Sequence, residues 1–320
     1  RVLFRSYGVA ETSTMPVEAG YILALGTRPT PTTTDIDIWS GVPPAAVVQT
    51  AEDRGIVPTA TLAAAIDYLD GTDIELADSV DLGDVQPGWL AQIGEGSGAE
   101  IVLVDSIDGQ HIAITRGVLD TVPHQWPIGE RLYFISSSPS EWPYSPVQYA
   151  NGDDVAVKLQ AGSRAGEIDI EEAASLSITM ASRIARPYPP GAVKVNAIYF
   201  PSVWDDWSEL EITWAHRDRI EQTAPVEWTA ASIGPESGTT YTVQAYGIDE
   251  DGVETRFYQA TGISGTTDTI DLDTYPLPVD AAIVSVRVWS VRDGLASWQH
   301  VATNIINLHA PTDLAAEYDA

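Results

Sequence analysis

Glu100-Ile-Val-Leu-Val-Asp-Ser-Ile-Asp-Gly-Gln-His-Ile-Ala-Ile-Thr-Arg-Gly-Val-Leu-Asp-Thr-Val-Pro-His-Gln-Trp-Pro-Ile-Gly-Glu-Arg-Leu-Tyr-Phe134 is the stretch whose reading decides the fold. Ile101, Leu103 and Asp105 alternate with Val102, Val104 and Ser106, the period of two that belongs to a strand. Asp108-Gly109 is a short turn, and His111 to Thr115 opens a second β-rich run. Arg116-Gly117 ends that run where a residue without a Cβ bends sharply, Asp120-Thr121-Val122-Pro123 carries the chain across, and Gly129 precedes a strand from Arg131 to Ile135. Three strands and two turns of this kind make half of a small barrel.

Upstream, the barrel begins at Val57, with strands expected at about Asp73 to Ala77 and Gly88 to Ile93. Thr59 or Thr61 reads as the N-cap of a short helix, Leu62 to Leu69, ending near Asp70-Gly71. Residues 1–57 form a strand-rich segment in which Tyr21 to Leu25 and Asp35 to Trp39 flank a Pro/Thr-rich turn. Both runs need partners, which a neighbouring subunit or a larger domain would supply. Residues 137–190 are a connector that extends the barrel: Ser136 to Ser140 and Trp142-Pro143-Tyr144-Ser145-Pro146 break strands, whereas Asp154 to Gln160 and Leu176 to Met180 form them.

Residues 191–309 read as a β-sandwich of about seven short strands. Leu210, Ile212 and Trp214 alternate with Glu209, Glu211 and Thr213, and Tyr241 to Gly247 and Val253 to Ala260 make a hairpin across Asp249-Glu250-Asp251-Gly252. Thr269 to Leu272, Ala282 to Ser290 and Trp298 to Ile306 supply the rest, and 310–320 is an acidic tail. The fold class is therefore all-β and multidomain, a small barrel at 58–136 followed by an immunoglobulin-like sandwich.

Composition narrows the function. The chain has 320 residues, of which 16 are basic and 46 acidic, for a net charge of −30. Such a surface repels nucleic acid and anionic membranes, and no apolar run approaches the roughly 20 residues of a membrane-spanning helix. No cysteine is present, which excludes disulfides, thiolate metal sites and thiol nucleophiles. Only Lys158 and Lys194 are lysine. Strong acidity with little lysine fits a halophilic or marine source, and a GC-rich genome encoding an acidic particle protein fits as well.

No stretch carries strong catalytic chemistry. His216, in Trp214-Ala215-His216-Arg217-Asp218-Arg219, lacks an identifiable nucleophile and orienting acid, so packing is the favoured reading. Gly94-Glu95-Gly96-Ser97-Gly98-Ala99 joins two strands with no following helix, and reads as a barrel loop rather than a dinucleotide fingerprint. The histidines at 111, 124, 216, 300 and 309 lack zinc spacing, and Asp249 to Gly252 has oxygen density without the alternating ligands of a calcium loop. No cofactor or metal is expected. Trp204-Asp205-Asp206-Trp207 sets two aromatics around two acceptors, a possible glycan contact if both rings are exposed, and otherwise a buried edge or a subunit contact.

The order Glu100, Val102, Val104, Thr115-Arg116-Gly117, Thr121, His124 or Trp126, and Gly129 resembles a small β-barrel module that recurs in tail and baseplate proteins of bacteriophages. The resemblance reaches back to Thr61 to Ile66 and Asp73 to Leu76. Arg186-Pro187-Tyr188-Pro189-Pro190-Gly191 and Ile212 to Arg219 are similar to the continuation in some tail-tip proteins of long-tailed phages, and the whole covers roughly two thirds of the chain. Val284, Val286, Val288, then Asp293-Gly294, Ser297 and Trp298, resemble the last two strands of a fibronectin type III domain, with Trp214 where that family keeps its core tryptophan. The family's usual tyrosine near the start of the penultimate strand is replaced by Ala282 or Ile283.

The resemblance implies a non-enzymatic, hub-type virion component of a tail tip or baseplate, working in assembly and host attachment. Its partners would be other tail proteins and copies of itself in a ring, a trimer above other sizes, with host receptors or glycans beyond. Tyr21 to Trp39 would join neighbouring chains by strand addition, with Trp39 at the interface. Arg116 and Asp120 are expected to brace the barrel turn that Gly117 permits, Trp214 to nucleate the sandwich core, and Arg217 and Arg219 to make interdomain ion pairs. The alternative is a host-surface adhesion or glycan-binding module using Trp204 and Trp207.

Overall fold

A computed structural model describes residues 2–4, 20–25, 28, 30–138, 144–204, 207–222, 224–230 and 232–307. The acidic tail at 310–320, Ser140 and Trp142-Pro143 of the connector, and Asp205-Asp206 lie outside the described residues. The chain is all-β and divides into two compact units, Arg1–Val118 with Pro123–Arg186, and Leu119–Val122 with Pro187–Ala320.

The first unit opens with β1 (Val2–Phe4), β2 (Gly20–Ala24), β3 (Thr33–Gly41) and β4 (Val48–Arg54). The barrel follows as β5 (Thr59–Leu62), β6 (Ile74–Val80), β7 (Leu90–Ile93), β8 (Glu100–Asp108), β9 (His111–Thr115) and β10 (Arg131–Ile135). The unit ends with β11 (Tyr144–Tyr149), β12 (Asp154–Ser163), β13 (Gly166–Glu167) and β14 (Ser175–Thr179).

The barrel is closed in the order β10-β5-β6-β9-β8-β7, which leaves no free edge. Its filling comes from inward positions on every strand, among them Leu62, Leu76, Ile93, Val102, Val104, Ile114, Leu132 and Phe134. The helix expected at Leu62 to Leu69 does not form. All four residues of β5 are buried, paired with β6 on one side and β10 on the other. Leu62 donates its N–H to Glu130 and Ala63 to Glu75, so closure of the barrel outweighs the helix propensity of the alanine run.

Tyr21 to Trp39 also departs from expectation, because it finds its partners within the chain. β3 lies between β12, which it pairs from Ala156↔Gly41 through Gly162↔Asp35, and β4. β2 lies between β1 and β11. Segments 1–57 and 137–190, read as separate pieces, therefore interleave, and Ile22, Ile36, Ile38, Tyr149, Val155, Val157 and Met180 fill one common core.

The second unit contains β15 (Gly191–Val195), β16 (Glu209–Ala215), β17 (Thr240–Ile248), β18 (Glu254–Ile263), β19 (Thr267–Asp271), β20 (Ile283–Arg292), β21 (Leu295–Ala296) and β22 (Val301–Ile306). One sheet runs β15-β16-β19; the other runs β18-β17-β20, with β21 and β22 both paired to β20. Alternate residues of both sheets, Val193, Leu210, Ile212 and Ile270 from one and Val243, Ala245, Val284, Val286 and Val288 from the other, enter a single core. This is sheet packed on sheet, the sandwich arrangement. Val122 joins the same core, and its N–H donates to the Gln299 side chain at 2.9 Å.

Candidate functional site

The most heavily engaged polar group in the barrel is the carboxylate of Glu100, at the start of β8, with 0% of its surface exposed. Burying a carboxylate demands paired charge and filled lone pairs, and the chain supplies both. Arg116, 4% exposed just after β9, donates Nε to Oε1 and Nη2 to Oε2, each at 2.8 Å. The Gly117 N–H reaches Oε1 at 2.9 Å, the His124 N–H reaches Oε2 at 3.2 Å, and the Trp126 indole N–H reaches Oε2 at 2.8 Å.

The guanidinium is equally saturated. Beyond Glu100, its Nη1 donates to the carbonyls of Asp67 and Asp70 at 2.7 and 2.9 Å, and its Nη2 to the carbonyl of His124 at 2.6 Å. All five donors of the planar fork are used. One ion pair thereby holds the loop after β5, the end of β9 and the segment at His124 to Trp126. Gly117 has φ +57, and a Cβ there would lie 2.6 Å from Pro123 Cδ, so only glycine follows Arg116 without strain.

Asp120, in the link after this turn, is 8% exposed and belongs to the second unit, where its charge attracts Arg217. Arg217 is buried over the ring of Tyr188 at 5.4 Å, and burial lowers its pKa to about 10 against the opposing pull of Tyr188 and Asp120. Arg219 donates Nε to Glu236 at 3.0 Å, and Arg292 pairs with the same buried carboxylate. Burial and the nearby Arg219 lower the pKa of Arg292. Tyr188, Asp120 and Glu236, which face Arg217 and Arg219, belong to the same unit as the two arginines.

Trp214 contributes to the sandwich core beside Tyr241, at 5.3 Å between ring centroids. Trp228, which sequence reasoning passed over, is buried more completely, stacks on Phe200 at 5.2 Å and donates its indole N–H to Pro190. Its position in an irregular stretch between strands, with no periodic pattern around it, gave no signal. Glu100 and Trp126 were visible as residues but not as partners, because 26 positions separate them.

His216 shares a 2.7 Å hydrogen bond between Nδ1 and the Tyr241 hydroxyl, and burial lowers the histidine pKa and raises that of the tyrosine. Trp39 donates its indole N–H to Gln160 on the neighbouring strand β12. Trp204 is 6% exposed and sits in the sandwich core, with Trp207 tilted against it at 5.2 Å. The paired open rings required of a glycan platform are therefore not formed there. At the hairpin tip Asp249 Oδ1 accepts the N–H groups of Asp251 and Val253, an Asx-type turn. Among the described residues no three His, Asp or Glu side chains converge as metal ligands.

No known family model matches the chain. A search of curated protein sequences gives no match either.

Proposed function

We propose that this chain is a non-enzymatic structural component of a phage tail tip or baseplate, of the hub type, located in the virion and acting in assembly and host attachment. One observation carries the reading: five of the residues that carry the resemblance, Glu100, Arg116-Gly117, His124 and Trp126, meet in a single knot around a buried ion pair. They are spent on holding a closed barrel rigid. In the sandwich the buried carboxylate of Glu236 is likewise engaged, by the half-buried Arg219 and Arg292.

The mechanism is assembly: rigid barrel and sandwich surfaces meet other tail proteins and copies of the same chain in a ring, a trimer in this reading. A net charge of −30 would give such a ring an acidic lumen past which DNA moves without sticking. Strand addition through Tyr21 to Trp39 has no part in it, since those strands are already paired. The test is native mass spectrometry and negative-stain imaging in molar and in low salt. A threefold species with ring views supports the proposal, and a particle with no threefold form at either salt overturns the ring.

A further inference from the structure

The outward face of the larger sandwich sheet is unlike the rest of this acidic chain. Direct cross-strand pairing sets Ile248 beside Ile283, Ile283 beside Ile306, and Ile306 beside Val203, which bridges to β22 in parallel. Their neighbours in sequence, Gly247, Val284, Ile305 and Trp204, are buried, so by strand alternation these four point away from the core. They form one aliphatic row across the sheet, with Ile306 49% and Val203 43% exposed.

The charge on this face is also unusual. Glu254, paired with Arg287, is its one carboxylate among the described strand residues, set against Arg256 and Arg287. Arg287 lies over the Tyr246 ring at 4.4 Å, and the Tyr246 hydroxyl donates to Gln244, whose amide donates to Gln259. The outward side of the other sheet is acidic by contrast, with Glu209 directly opposite Asp271 and Glu211 two residues along.

We propose that this face is a two-fold contact between two copies of the chain, aliphatic row against aliphatic row, with Glu254 and Arg256 of each copy meeting their opposites in the other. The occupant follows from charge. A chain carrying 46 acids against 16 bases repels its own copy over an average surface. On the strands of this face the excess is reversed, two arginines to one carboxylate, with the acids Asp249, Glu250 and Asp251 set at its rim on the hairpin tip, and a face with both signs beside an apolar row is self-complementary about a two-fold axis.

The size sets the strength. Four strands at ~4.8 Å spacing and about seven residues of length give a patch of roughly 400 Å² in outline per copy, about 800 Å² for the pair, which is below the standard size of specific interfaces and in the range of weak, transient ones. The contact is therefore weak, with a dissociation constant of about micromolar order, and molar salt tightens it by screening the repulsion between copies. It is independent of the threefold ring proposed above.

Sedimentation equilibrium from about 1 to 300 µM, spanning weak-interface affinities, tests it on the full chain in molar salt. The wild-type mass is expected to double with concentration, and Ile306→Lys to weaken association at least tenfold. Arg256→Glu does the same through the charges, in case the lysine perturbs folding. Ile198→Lys, at an equally exposed isoleucine outside this sheet, leaves association unchanged. A wild-type chain with no dimer step over that range, or association indifferent to both Ile306→Lys and Arg256→Glu, overturns the proposal. A trimer indifferent to those changes defeats the two-fold contact alone; a sensitive dimer without a threefold form defeats the ring alone.

Discussion

Glu100 accepts five hydrogen bonds and Arg116 donates five, so neither has a spare site for another partner. Removing one member strands the other in the interior, and Arg116→Ala is expected to cost about 3–5 kcal/mol in urea unfolding. Arg116→Lys keeps the charge but loses the planar fork, and falls between; a loss below about 1 kcal/mol for either would contradict the knot's structural role. Ser285 makes the opposite case. Its hydroxyl is fully buried without a hydrogen bond, so Ser285→Ala is expected to be neutral or to stabilise by up to about 1 kcal/mol, read from the thermal midpoint. His216 supplies a pH dependence. Its folded pKa lies below the ordinary 6.5, so the unfolded chain binds the proton first, and the contribution is present above 6.5 and lost as pH falls through the folded value. Comparing wild type with His216→Gln from about pH 8 to about pH 5 isolates it: the wild-type advantage shrinks on acidification, and a constant difference would refute the assignment. Arg116 and Gly117 were legible as a turn. Glu100 was not legible as their partner, because nothing in a strand pattern says that its first carboxylate turns inward.

At the scale of elements, the sequence pattern succeeded where alternation is local and faltered where pairing is distant. β8, β9, β10, β16, β17 and β20 follow from period-two runs and turn residues. β5 was hidden inside Thr-Ala-Thr-Leu-Ala-Ala-Ala, whose composition favours a helix, and only its two barrel neighbours make it a strand. The partner of β3 lies some 120 residues away on β12, and no local signal reports such a pairing. Gly117 tests the junction of element and turn. Gly117→Ala adds a Cβ at φ +57 against Pro123 and is expected to destabilise the barrel by about 1–3 kcal/mol. Hydrogen exchange at β8 and β9 should then rise together, whereas local fraying confined to 118–123 would show that the turn is not coupled to the strands.

The whole molecule is governed first by its charge. With −30 on 320 residues, self-repulsion opposes the compact state at low ionic strength and is screened at molar salt, where the Debye length falls to about 3 Å. The thermal midpoint is therefore expected to rise steadily from low to molar sodium chloride, and a flat or falling curve would contradict a charge-limited fold. The division into units carries a different consequence. Leu119–Val122 is counted with the sandwich although residues on both sides of it belong to the first unit, and Val122 lies in the sandwich core. The sandwich is thus not a detachable cassette: a scissile cut at 186/187 leaves a piece of its interior behind. On the ribosome those four residues emerge well before the strands that will enclose them, so the sandwich closes around a segment made long before its own strands. Recombination that trades sandwiches between chains would have to carry two separate stretches of coding sequence together.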